Sequence, residues 1–222
     1  MPVKIALPKG RLLDRTAAVL QKAGWGLDEY HQRARSYHLK SPKFPSTSVK
    51  VFQEKDIPIQ VAVGNYDLGI CGLDWVEELL VKYPSSAVVK IKDLRYGEGA
   101  LFIVASRFGR LTTLEEIKAS RGNIRIASEY PNLAALFALK SRLSRFSIFP
   151  VWGGADVYPP ENAELVLIPG KEAELIACGM VPISQVLGFS AFLIANRSSL
   201  ESKDLGQIVA SIGDRLGGED IA

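Results

Sequence analysis

Short apolar runs alternate with amphipathic stretches along this chain, and no other feature of it limits the fold as strongly. A run of about four to eight apolar residues reads as a buried strand, and a stripe of period 3.6 reads as a helix. Val3–Leu7 reads as the first strand, and Leu13, Ala17 and Leu20 form the stripe of a helix stopped at Gly24. Val49–Phe52 alternates as a strand, after which Asp56 is expected to cap a short helix with Pro58 in its first turn. Asp67–Gly72 reads as a buried strand, and Asp74 opens a helix carrying Val76, Leu79 and Leu80. Leu101–Ala105 is another strand, and Thr113-Leu-Glu-Glu116 has capping-box spacing. Ile124–Ala127 reads as a strand, followed by a helix capped by Asn132 and bearing Leu136, Leu139 and Leu143. Residues 147–151, 164–168 and 191–195 complete the strands, and Leu205, Ile208, Val209, Ile212 and Leu216 mark a final helix. The last six residues are Gly-rich and acidic and read as frayed.

Strands alternating with helices predict parallel sheets with helices on both faces. About nine strands in a chain of this length suit two small lobes better than one sheet. The expected fold is therefore α/β and two-lobed. Three strand-to-helix junctions recur, at 7–11, 70–74 and 127–132, and two lobes could turn them toward one cleft.

Each junction has a plain reading beside a functional one. Pro8-Lys9-Gly10-Arg11 offers two cations, a permissive glycine and a helix amino end, which suit a phosphate or carboxylate; a turn with solvated charges uses the same residues. Asp67-Leu-Gly-Ile-Cys-Gly-Leu-Asp74 places Gly72 and Asp74 around a strand end, as a tight turn and cap or as part of a site. Ser128-Glu129-Tyr130-Pro131-Asn132 could present helix amides to a second anion, which Glu129 would repel; Asn132 as a simple cap fits as well.

Composition narrows the function classes. Net charge is +3 and no Lys/Arg block of five occurs, so nucleic-acid binding has no footprint. Four cations (Arg33, Arg35, Lys40, Lys43) sit in a polar stretch, residues 28–48, that reads as loop and weak strand. There Tyr30, Tyr37 and Phe44 are expected to pack the segment down, while a surface Tyr or His could stack on a base. His31 and His38 lack metal-ligand spacing, and Cys71 and Cys178 read as small buried hydrophobes. No apolar run approaches a bilayer span and no leader precedes the first strand, so a cytoplasmic protein is expected. Walker, dinucleotide and Gly-x-Ser-x-Gly motifs are absent.

Four runs occur here in an order that points to one family: Ile5-Ala-Leu-Pro-Lys-Gly-Arg-Leu12, Lys55-Asp-Ile-Pro58, Asp67-Leu-Gly-Ile-Cys-Gly72 and Ala127-Ser-Glu-Tyr-Pro-Asn132. With Gly179-Met-Val181 and Ala191–Arg197 they make the chain resemble the short-form catalytic subunit of ATP phosphoribosyltransferase, over essentially its whole length. The resemblance implies a two-lobed, type II periplasmic-binding-protein-like fold with two hinge-crossing strands near 94–105 and 180–195. Lobe I would comprise residues 1–96 and 186–222, and lobe II residues 97–185. The implied activity transfers the ribosyl group of phosphoribosyl pyrophosphate to N1 of the ATP adenine, releasing pyrophosphate, the first step of histidine biosynthesis. It further implies Mg²⁺, self-association, a histidyl-tRNA-synthetase-like regulatory subunit, and no third, regulatory domain. The matching substrate-binding positions are Lys9, Gly10, Arg11, Gly72, Asp74, Tyr130, Pro131, Asn132, Gly170 and Lys171, with no catalytic residue or metal ligand singled out.

The chain also departs from the family pattern, which has a late Thr-Gly-x-Thr phosphate cradle. The matching stretch, Ala163–Leu175, contains neither Thr and carries Pro169, Lys171, Glu172 and Glu174. Leu73, Ala100, Gln53 and Glu129 stand where the family usually has Lys, Arg, Arg and Lys. Each lost charge-assisted contact is worth roughly 1.5–3 kcal/mol. These departures keep two alternatives beside the transferase: a catalytically degenerate relative that binds a less anionic small molecule or regulates another protein, and an enzyme of a different reaction in the same shell.

Overall fold

The computed structural model describes residues 2–33 and 37–213. Among the described residues eleven strands form two sheets, and the chain divides into two compact units. Unit 1 comprises Met1–Val76, Pro84–Glu98 and Ser190–Ala222, and unit 2 comprises Glu77–Tyr83 and Gly99–Phe189.

Unit 1 is built on β1 (Val3–Lys9), β2 (His38–Leu39), β3 (Thr47–Gln53), β4 (Leu68–Gly72), β5 (Val88–Asp93) and β11 (Ala191–Asn196), in the order β2-β3-β1-β4-β11-β5. β1 pairs in parallel with β3 and β4, whereas β11 runs antiparallel to β4 and β5. Helices α1 (Leu13–Lys22) and α2 (Ile57–Ala62) follow β1 and β3; α3 (Leu73–Lys82) follows β4, and α7 (Arg197–Ser202) and α8 (Gly206–Gly213) follow β11. The core gathers Ile5, Leu7, Leu20, Trp25, Ile70 and Leu193, all essentially inaccessible. Trp25 donates its indole N–H to Ser211 Oγ at 3.1 Å, which satisfies its one polar atom. Asp67 ties the first strand to the last helices: it accepts from the Lys4 amide (2.8 Å), Ser199 Oγ (2.6 Å) and Lys203 Nζ (2.8 Å).

Unit 2 is built on β6 (Gly99–Ser106), β7 (Ile124–Ser128), β8 (Phe146–Pro150), β9 (Leu165–Gly170) and β10 (Met180–Phe189), in the order β10-β6-β9-β7-β8. Its helices are α4 (Leu114–Ala119), α5 (Pro131–Lys140) and α6 (Glu172–Ala177). Thr113 and Glu116 form the reciprocal capping box that their spacing predicts. Phe102, Val104, Ala127, Val166 and Leu175 share one buried cluster.

The α/β class expected from the sequence holds, but the sheets are mixed rather than parallel. One residue, Ser190, separates β10 from β11, and five residues separate β5 from β6. Each link joins strands of different sheets; within the sheets β11 runs antiparallel to β4 and β5, and β6 runs antiparallel to β10 and β9. Strand β5 and helices α6 and α7 carry no clear sequence signal and are additions to the expected elements; residues 172–175, read as part of a loop, open α6. Helix α5 differs in phase: Leu133, Ala134, Phe137 and Ala138 are buried while Leu139 is exposed, and Leu143 lies beyond the helix end. Proline at its first position sets that start, and two alanines suffice on the buried face. Tyr130 is the residue before that proline, so Asn132 lies inside the helix and is not its cap. Asp56 precedes α2 as expected but makes no side-chain capping bond, because a 3-10 turn over Glu54–Asp56 leads into the helix. Cys71 is buried and Cys178 exposed, just past α6. Tyr30 and Phe44 pack inward, and Tyr37 remains half exposed. Arg35 and Leu216 lie outside the described residues. No helix among the described residues is long and apolar enough to cross a membrane.

Candidate functional site

In unit 1 the Pro-Lys-Gly-Arg run falls at the carboxyl end of β1. Lys9 is the last strand residue, and Gly10 turns the chain at φ 88° into α1. A Cβ at Gly10 would meet nothing within 4 Å, so the glycine serves the left-handed backbone and not a close contact. Tyr30 fastens the turn from behind by donating its hydroxyl to the Pro8 carbonyl at 2.6 Å. Burial raises the Tyr30 and Tyr96 phenols far above their ordinary range, so both stay neutral.

Arg11 points at two carboxylates. Its Nη2 donates to both oxygens of Asp74 at 2.8 Å, and Nε and Nη2 reach Glu54 at 3.1–3.3 Å. Asp74 is fully buried and Glu54 nearly so. One guanidinium facing two carboxylates leaves the cluster with formal charge −1 when both are ionised. Burial raises the Glu54 carboxyl despite its bonds to Arg11, and the Asp74 charge adds to the rise. Burial, with those two carboxylates behind it, also pushes the Cys71 thiol up, so it is no nucleophile. Gly72 makes the cluster possible: a Cβ there would collide with the Asp74 carboxylate and the Arg11 guanidinium. Lys9 Nζ lies 3.1 Å from the Tyr37 hydroxyl and over its ring, beside a small pocket lined by Lys9, Tyr30, His31 and Tyr37.

In unit 2 the third junction is filled from within. The Glu78 carboxylate accepts from the Asn132 amide at 2.9 Å, the Leu133 amide at 2.9 Å and Asn132 Nδ2 at 2.6 Å. Those amides open α5 and are the groups a second anion would have used. Burial raises the Glu78 carboxyl, and the Asn132 and Leu133 bonds oppose the rise. Ser128 Oγ accepts from the Tyr130 amide at 2.9 Å and donates to the Leu167 carbonyl at 2.7 Å, which joins the ends of β7 and β9.

At the end of β9, Gly170 stands opposite Ala100 across the sheet, and Pro169 opposite Leu101. Leu175 packs within 3.0 Å of where a Gly170 Cβ would sit. Lys171 precedes α6 and is exposed, with its ammonium 3.4 Å from Glu174. Helix α6 has six residues, and Glu172 and Glu174 occupy its first turn. Acidic groups there oppose an anion at the helix amino end.

The fold thus gathers Lys9, Gly10, Arg11, Gly72 and Asp74 at one end of the unit 1 sheet. Tyr130, Pro131, Asn132, Gly170 and Lys171 follow the adjacent strands β7 and β9 of unit 2. Glu54 and Glu78 complete the two clusters and were not expected. Neither lies in a motif with recognisable chemistry; Glu78 stands one helical turn after Asp74, the only hint the sequence contains. Among the described residues no group of three His, Cys, Asp or Glu side chains is arranged to hold a metal.

A family model described as HisG, ATP phosphoribosyltransferase, matches residues 53–217. The ATP phosphoribosyltransferase of Aquifex aeolicus is 30% identical over 209 residues, spanning 93% of this chain and 90% of that one. ATP phosphoribosyltransferase 2 of Geobacter sulfurreducens is 26% identical over 208 residues, spanning 90% and 91% of the two chains. Among solved structures, a chain of the Thermotoga maritima ATP phosphoribosyl transferase HisG:HisZ complex superposes with TM-score 0.77 at 17% identity, covering 96% of this chain and 98% of that one. The Escherichia coli periplasmic aliphatic sulphonate binding protein SsuA superposes at 0.55 and 15% identity, covering 96% and 67%, which extends the likeness in fold to periplasmic binding proteins. With a family match across most of its length, the chain belongs to the ATP phosphoribosyltransferase family.

Proposed function

We propose that the protein transfers the phosphoribosyl group of phosphoribosyl pyrophosphate to N1 of ATP. The bond between ribose C1 and the pyrophosphate oxygen breaks, the bond from C1 to adenine N1 forms, and pyrophosphate leaves. The observation that carries this reading is the family match over residues 53–217, joined to the intact strand-glycine-helix junction at Lys9–Arg11. In the reaction the leaving group gathers negative charge, and fixed donors aimed at it lower the barrier. Lys9 and the backbone around Gly10 are the groups of this chain suited to that task. Arg11 acts differently: held by Glu54 and Asp74, it shapes the end of the sheet and orients the glycine turn.

Magnesium is expected from the family, but the residues present do not form a cage for it. The acidic pair at the junction, Glu54 and Asp74, is turned onto Arg11. Mg²⁺ characteristically keeps several waters and rides on substrate phosphates, so no step is assigned to a protein-held ion. Self-association, a regulatory subunit related to histidyl-tRNA synthetase, and a cytoplasmic location complete the proposal. The HisG:HisZ complex of the Thermotoga protein supports the second of these.

Specific observations favour a second reading, a relative that binds a less anionic small molecule. Glu172 and Glu174 open α6, and Glu78 fills the amides of α5. Calorimetric titration with phosphoribosyl pyrophosphate and Mg²⁺, then ATP, separates the two. Saturable binding of both, with pyrophosphate released on mixing, is expected of the transferase. Absence of heat from phosphoribosyl pyrophosphate up to millimolar would leave the binding-protein reading.

A further inference from the structure

Among the described residues, two that are not glycine have left-handed backbone, and both are arginines: Arg95 at φ 53° and Arg142 at φ 56°. Crowding between Cβ and the carbonyl disfavours this conformation, which persists where the surroundings over-determine it. Arg142 has a structural cause. It follows the end of α5, with its amide on the Leu139 carbonyl and the Leu143 amide on the Ala138 carbonyl, both at 3.0 Å. That pair of bonds is the left-handed close of a helix.

Arg95 closes no helix. It lies in the link from β5 to β6, and the residues beside it are pinned. Asp93 Oδ1 accepts from the Arg95 amide at 2.8 Å and from Ser190 Oγ at 2.6 Å. Leu94, fully buried, donates its amide to the Ala191 carbonyl at 2.8 Å, and the Ala191 amide donates to the Tyr96 carbonyl at 2.8 Å. The Tyr96 hydroxyl meets Thr16 Oγ1 at 2.8 Å. Within this frame the Arg95 side chain is exposed, and its guanidinium has no hydrogen-bond or ion-pair partner among the described residues.

The strand registers place Arg95. Phe192 of β11 stands opposite Cys71 of β4 on one side and Asp93 of β5 on the other. Arg95 therefore leaves the sheet at the end where β4 reaches Gly72 and the parallel β1 reaches Lys9. Gly97, two residues on, packs so closely on Leu12 that a Cβ there would collide with it. In open α/β sheets this end, outside the carboxyl ends of the parallel strands, is where ligands bind.

We propose that Arg95 is an anion-binding residue that gives the phosphate or diphosphate of the ligand the cationic fork that Arg11 has committed to Glu54 and Asp74. A guanidinium suits that task because it meets phosphate oxygens in pairs. A glycine at position 95 would relax the backbone at once, yet the chain holds an arginine there. The identity of the diphosphate rests on the transferase reading; the role of Arg95 rests on its strained backbone and its place at the sheet end.

The test is calorimetric titration of the full chain with inorganic pyrophosphate and, separately, with phosphoribosyl pyrophosphate, using the parent protein, R95G, R95K and R142G, with thermal midpoints recorded on each. R95G is expected to keep its midpoint within a few degrees and to bind pyrophosphate about tenfold or more weakly. R95K recovers part of the loss, and R142G binds as the parent does. Equal pyrophosphate binding by R95G and the parent overturns the role of Arg95 and leaves the transferase reading intact. Arg95-dependent binding of pyrophosphate without binding of phosphoribosyl pyrophosphate upholds the role and removes the transferase reading. A parent chain that binds neither overturns both.

Discussion

Gly72 and Arg11 show how single residues set this protein's chemistry. Gly72 looks like an ordinary turn glycine at the end of an apolar strand, but its missing Cβ leaves the space in which Arg11 meets Asp74. Gly72→Ala should therefore destabilise the protein by about 1–3 kcal/mol through overpacking, read as a lower urea midpoint with unchanged m-value. Arg11→Ala removes a cation that bridges two buried carboxylates. Breaking a buried pair of this kind costs about 3–5 kcal/mol. The loss should be largest at neutral pH and shrink as pH falls, because the Glu54 carboxyl, raised by burial, can then take up a proton; a loss independent of pH would mean that Arg11 acts by packing alone. The presence of Lys9, Arg11, Gly72 and Asp74 at one junction was legible from strand-glycine-helix spacing. Their pairing was not, because Glu54 reaches Arg11 across 43 residues and Asp74 across 63.

At the scale of elements, helix α5 carries the clearest difference between pattern and structure. Its start was legible within a residue or two, since Tyr-Pro-Asn after a buried strand is a strong helix entry. What satisfies that start is a carboxylate from α3, 54 residues earlier than Asn132. No local pattern specifies such a partner. Glu78→Ala should cost about 1–2 kcal/mol, as loss of an N-terminal acceptor does. The amides of Asn132 and Leu133 should then exchange hydrogen faster than those later in the helix. Protection unchanged at both amides would mean that Glu78 does not hold them. The capping box of α4 is the contrary case, where both partners lie within four residues and the sequence alone sufficed. Thr113→Ala should cost about 1 kcal/mol, measured by the same denaturation.

For the whole molecule, two sets of carboxyls give stability opposite slopes against pH. Burial pushes the Asp67 carboxyl up, but its bonds from Lys203, Ser199 and the Lys4 amide outweigh this and hold it below its ordinary range; Glu164 is likewise held down by Arg125 against burial. Such groups add stability above their unfolded values, and that stability is lost as pH falls through the folded ones. Glu54 and Glu78 are raised, chiefly by burial. The folded chain holds their protons more tightly, so stability declines as pH rises from the ordinary glutamate value through the raised one. Denaturation measured from pH 3 to 8 should therefore show an acid limb that Asp67→Asn makes shallower and a decline at higher pH that Glu54→Gln flattens. An unchanged acid limb in the Asp67 variant would assign it to other carboxyls. The alternation of strands and helices, the α/β class and the three junctions were all determined by sequence, because periodicity, glycine position and cap spacing act over a few residues. Tertiary structure alone decided that the sheets are mixed, that Arg11 is spent on two carboxylates, that Glu78 fills the α5 amides, and that Arg95 stands strained and exposed at the sheet end. Those outcomes depend on which distant groups meet when strands pair and charges leave water, and pairing of that range leaves no periodic mark in the chain.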